Sequence, residues 1–103
     1  MAKLARLSKK QITQKLAKLA GWRRQGGVIT KEFVLRSFTS AARFIHKIAP
    51  VANAMDHHPD VELYRYKRVK ISLTTHSLGG LTENDFVLAK KIDKLAAAAP
   101  GET

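Results

Sequence analysis

The 103 residues contain no cysteine, which excludes a disulfide framework and any thiolate metal site. Acid is the next scarcity. Eight Asp and Glu face 19 Lys and Arg, a net charge of +11, and no acid occurs among the nine basic residues from Lys3 to Lys31. No apolar run approaches the ~20 residues a bilayer span needs, so no membrane association is expected. The P-loop, the dinucleotide glycine fingerprint and the G-x-S-x-G elbow are missing as well. An enzyme built from this chain would therefore work by proton transfer, without a bound cofactor. The basic excess fits a solvated face, or a surface for an acidic protein or nucleic acid. It also has the acid-free, amphipathic character of an organelle-targeting segment. The expected location is the cytoplasm, with an organelle such as the mitochondrion as the alternative.

A chain of this length forms one domain, expected over 1–103 with 1–7 and 97–103 flexible. Ser8-Lys9-Lys10-Gln11 has capping-box spacing, and Ile12, Leu16, Leu19 and Ala20 follow at helical intervals, predicting a helix from Ser8 to Ala20. Trp22 to Ile29 reads as a hairpin turning at Gly26-Gly27, its second strand running through Phe33 and Leu35. Phe38, Ala41, Ala42, Ile45, Ile48, Ala49, Ala52 and Met55 then share one helical face. Pro50 predicts a kink or a tight restart in that helix, and Pro59 ends it near His57. Pro59 to Tyr66 reads as a strand. Val69, Ile71, Leu73 and Thr75 alternate with Lys70, Ser72, Thr74 and His76, a strand with His76 at the end of its polar face. Thr82-Glu83-Asn84-Asp85 has helix-start chemistry. The order α-β-β-α-β-β-α predicts an α+β fold, a four-stranded antiparallel sheet with three helices on one face.

Asp56-His57-His58-Pro59 holds two of the four histidines, and its chemistry admits three readings. The pair is solvated loop, or part of a metal site with His76, or an acid/base centre in which one histidine donates a proton while another accepts. Adjacent histidines lack the i, i+4 spacing of helical zinc sites. Pro59 forces the chain out of the helix, so the two rings need not diverge as they would on a regular helix. His46, in the amphipathic helix, reads as structural or exposed.

His57-His58-Pro59, Tyr66, nine intervening residues to His76 and eight more to Asp85 resemble the pterin-4a-carbinolamine dehydratases. Gly21-Trp22, Ala41-Ala42, Thr75-His76, Gly79-Gly80-Leu81-Thr82 and Ile92-Asp93 extend the resemblance over most of the chain. It implies a homodimer or homotetramer that dehydrates a 4a-hydroxytetrahydropterin, the substrate left by aromatic amino-acid hydroxylases, with no metal. His57, His58 and His76 would be catalytic. Asp56, Thr75 and Ser77 would line the pterin pocket, joined by Asp85, by Trp22 as a wall and by Asn53. The same resemblance admits a non-catalytic binding, assembly or coactivator protein. Asn53 stands where the family carries an acid, and Asp60-Val61 replaces its Glu-Trp. The stretch from Pro59 to Tyr66 is one residue longer than usual, which predicts a β-bulge or a slipped loop.

Overall fold

The computed structural model describes residues 4–97. Within them α1 (Lys9–Leu16), β1 (Arg23–Gln25), β2 (Val28–Val34), α2 (Phe38–Met55), β3 (Asp60–Tyr64), β4 (Arg68–Leu73) and α3 (Glu83–Ala97) follow in the expected order. The sheet runs β1-β2-β4-β3, antiparallel throughout. Alternation sends Ile29, Phe33, Val69, Ile71 and Leu73 to one face, where Ile12 of α1, Phe44 and Ile48 of α2, and Phe86 and Ile92 of α3 cover them. Phe33 is the hinge of this core, tilted against Phe44 at 5.0 Å and edge-on to Trp22 at 6.2 Å between ring centroids. The expected flexible ends lie outside the described residues except for 4–7 and Ala97. Leu7 is tied down there by its N–H, which donates to Leu81 O at 2.9 Å.

Four local expectations are corrected. Ser8 and Gln11 do form a reciprocal capping box, but α1 stops at Leu16 rather than Ala20. Lys18, Leu19 and Trp22 instead donate to the carbonyls three residues back, a tightening that folds Leu19 into the core. In α2 the buried stripe is Ser40, Ala41, Phe44, Ile48 and Ala52, while Phe38, Ala42 and Ala49 stay exposed. Pro50 causes no restart, and α2 is one helix through it. Pro50 and His46 are both exposed, so water can serve the His46 carbonyl that loses its partner. Finally, β3 carries no bulge, because its pairing to β4 is unbroken from Asp60↔Ser72 to Tyr64↔Arg68. The chain turns at Arg65-Tyr66-Lys67, with Arg65 and Tyr66 both left-handed.

The end of α2 sets up everything that follows. Asp56 adopts a left-handed conformation (φ 49°, ψ 44°), its N–H donates to Asn53 O and that of His57 donates to Ala52 O, each at 3.1 Å. This is a Schellman closure, and Pro59 sits just beyond it, where it cannot extend the helix. Asp56→Val places a β-branched residue at positive φ and should lose about 1–2 kcal/mol. Asp56→Gly should be neutral or slightly stabilising, both read by chemical denaturation. Equal stability of the two variants would show that the left-handed turn is not under strain.

Candidate active site

The Schellman turn reverses the chain so that His57 points into the protein and His58 out of it. His57 is 9% exposed, whereas His58 is exposed. Beneath His57 lies Asp85, in the first turn of α3 and fully buried. His57 Nε2 and Asp85 Oδ1 are 2.6 Å apart. The other carboxylate oxygen, Oδ2, accepts from the Thr82 N–H and from the Thr75 hydroxyl, each at 2.9 Å. Since Thr75 spends its proton on Asp85, the hydroxyl of Thr82, 2.8 Å away, donates to Thr75. Every group in this buried set has a partner, which is the condition for its burial.

The local sequence explains the set. Thr82-x-x-Asp85 is half of a capping box, the carboxylate reaching back to the N–H that precedes α3. Thr75 lies beyond the end of β4, held by an isolated bridge to Gly80. That bridge displaces His76 from its expected place at a strand end. His76 instead opens a 3₁₀ turn, His76–Leu78, closed by Gly79 at φ 67° with its N–H on His76 O at 3.1 Å. Asp85 therefore ties the loop bearing His57 and His58 to the turn bearing His76, through Thr75. Thr82, legible in the sequence as a helix start and absent from the candidate site residues, is part of the buried set.

The other candidates fall into two groups. Asn53, on the last turn of α2, has its side-chain carbonyl 2.9 Å from His58 Nε2. An amide oxygen only accepts, so Nε2 of His58 carries the proton. A carboxylate at Asp85 imposes the same tautomer on His57. In that tautomer each ring carries its lone pair on Nδ1, and His57 alone of the two has a carboxylate against its Nε2. Asp56, Ser77 and His76 are exposed around this framework. Trp22 belongs to a different network. It is 5% exposed, packs on Phe33, and donates to both oxygens of Asp93 at 3.1 Å. Lys31 completes that network, with Nζ 2.9 Å from Asp93 and 3.0 Å from Ala20 O. Among the described residues, no group of three or more His, Asp or Glu is arranged to hold a metal. No helix among them is long and apolar enough to cross a membrane.

The comparisons with known proteins agree with one another. The family model described as Pterin 4 alpha carbinolamine dehydratase matches residues 5–95. A Sulfurisphaera tokodaii protein provisionally named pterin-4-alpha-carbinolamine dehydratase is 46% identical over 92 residues, covering 89% of this chain and 98% of its own. A Roseiflexus protein of the same provisional name is 49% identical over 90 residues, covering 87% and 96%. Among solved structures, a transcriptional coactivator/pterin dehydratase from Brucella melitensis is similar at a TM-score of 0.84 and 34% identity, over 88% of this chain and 98% of that one. A pterin dehydratase-like protein identified as a RuBisCO assembly factor in the alpha-carboxysome gives 0.62 and 26%, over 74% and 89%.

Proposed function

The chain belongs to the pterin-4a-carbinolamine dehydratase family, and from that premise we propose that it converts a 4a-hydroxytetrahydropterin to quinonoid dihydropterin and water, in the recycling of tetrahydropterins. The observation that carries this reading is the buried His57–Asp85 pair at 2.6 Å, beside exposed His58. In the reaction the C4a–O bond breaks with its electron pair leaving on oxygen, which must gain a proton. The N5–H pair becomes the C4a=N5 bond, so N5 must lose one. His57 suits the second task, because an imidazolium formed there faces the Asp85 carboxylate. Exposed His58 and His76 are the groups available to protonate the departing hydroxyl. Asp56, Thr75 and Ser77 would border the pterin. Asp85, being fully buried, positions His57 rather than touching substrate. No metal or cofactor enters this scheme, and a homodimer or homotetramer would be the working form.

The test is loss of 4a-hydroxytetrahydropterin, followed by absorbance with purified wild type and with Asn53→Glu. Wild type should exceed the spontaneous rate, and the variant should gain further, since a carboxylate on His58 would stabilise its imidazolium as Asp85 does for His57. A wild-type rate equal to the spontaneous one would overturn the enzymatic reading. The second reading, a binding or assembly protein with an acidic or nucleic-acid partner, would then stand. It is favoured by the +11 charge and by the names of the two solved relatives.

A further inference from the structure

Outside the His57–Asp85 set lies a cleft of about 570 Å³ between the start of α1, the β1–β2 turn and the Gly79-Gly80 end of the turn that His76 opens. Its charge is of one sign. Arg6 and Arg24 line it, and among the described residues no carboxylate does. This follows from the chain itself, since most of the cleft is built from the acid-free first 31 residues. Arg24 uses Nε on Gly26 O at 2.8 Å, which holds the side chain beside the turn. The Arg6 stem lies on Gly80, where an added Cβ would come within 3.1 Å of Arg6 Cδ. A Cβ on Gly27 would likewise sit 3.3 Å from Gly80 Cα, so the two glycine turns meet backbone to backbone. Thr74 clamps this junction by donating to Gly27 O at 2.6 Å. The lining is mixed: Ser8 and Gln11 are exposed beside half-buried Leu7, with Ile12 and Leu81 nearly covered behind them.

We propose that this cleft binds a small phosphorylated organic molecule, with its phosphate on Arg6 and Arg24 and its carbon body against the half-buried Leu7 side chain. Planar guanidinium groups are the side chains best matched to a phosphate dianion. The volume falls within the range of small-molecule sites and far exceeds what a bare phosphate fills. The N-terminal end of α1 borders the cleft and adds to the same positive sign.

Phenyl phosphate, inorganic phosphate and phenol serve as probes, titrated into the full chain by calorimetry at low ionic strength. Phenyl phosphate should bind one to one, at least several-fold tighter than phosphate, and phenol should not bind detectably. The double variant R6Q/R24Q should weaken phenyl phosphate binding at least tenfold. The charge-matched variant K90Q/K91Q, on exposed positions of α3, should change it less than twofold. All four positions are exposed, so folding is checked simply by an unchanged melting temperature. Equal weakening by the two double variants would reduce the effect to net charge and overturn the site. Phenyl phosphate binding no tighter than phosphate would overturn the organic occupant. Dehydratase turnover of R6Q/R24Q should equal that of wild type, which keeps this result separable from the fate of the catalytic reading.

Discussion

His57→Ala should lower dehydratase kcat by about 10²–10⁴-fold, the usual contribution of a positioned acid or base. The argument rests on what the ring has beneath it. A proton arriving at Nδ1 makes an imidazolium whose other N–H already donates to a buried carboxylate 2.6 Å away. Among the described residues neither exposed histidine is paired with a carboxylate, and His58 meets the neutral Asn53 amide. His58→Ala should therefore cost less than His57→Ala, and His57→Gln should not rescue, because an amide cannot carry the proton. Single-turnover measurements on the three variants separate these outcomes. A His57→Ala enzyme within threefold of wild type would move the base elsewhere, most directly to His76.

The sequence carried the element order and the strand faces because both depend on local periodicity. Val69, Ile71 and Leu73 alternate in the sequence and are fully buried in the structure. The α2 face was harder to read for a physical reason. Phe38, Ala42 and Ala49 belong to an apolar stripe wider than the strip its neighbours cover, and periodicity does not say which edge is left out. Pro50 misleads in a similar way, since the cost of a lost donor depends on whether the freed carbonyl meets water. The candidate site was legible as a list of residues and not as a set of pairs. Asp85 looked like a helix-start charge, which it is, yet its second oxygen accepts from Thr75, which lies beyond the end of β4. Asn53 was conspicuous as a missing acid, and the structure gives it a partner in His58. His76 opens a 3₁₀ turn and not a strand end because Thr75 bridges to Gly80, a pairing that alternation along β4 does not encode.

Asp85→Ala should destabilise the protein by about 3 kcal/mol, because it strands buried donors that each cost about 1–3 kcal/mol when unpaired. Three donors converge on the carboxylate, from His57, Thr75 and the Thr82 backbone. They do not all lose equally. The Thr75 hydroxyl can rotate toward Thr82, while the Thr82 N–H and the His57 ring cannot find substitutes without moving backbone. A loss of this size is a large share of the roughly 5–15 kcal/mol available to a domain, and should lower the melting temperature by at least ~10 °C. Asp85→Asn separates shape from charge. Its amide keeps the volume and one acceptor, but turns an NH2 toward groups that are themselves donors, so it should remain folded yet destabilised by about 1–2 kcal/mol. Its turnover should fall nearly as far as that of His57→Ala, because the imidazolium would lose its counter-charge with the ring still in place. Thr75→Val completes the comparison. It removes one donor to the carboxylate and the acceptor of the Thr82 hydroxyl, with no change of charge, so stability should drop by about 1–2 kcal/mol while turnover falls less than in Asp85→Asn. If Asp85→Asn instead kept full turnover, the buried carboxylate would serve only to pin the 75–80 turn to α3, and proton exchange would have to run through the exposed histidines alone.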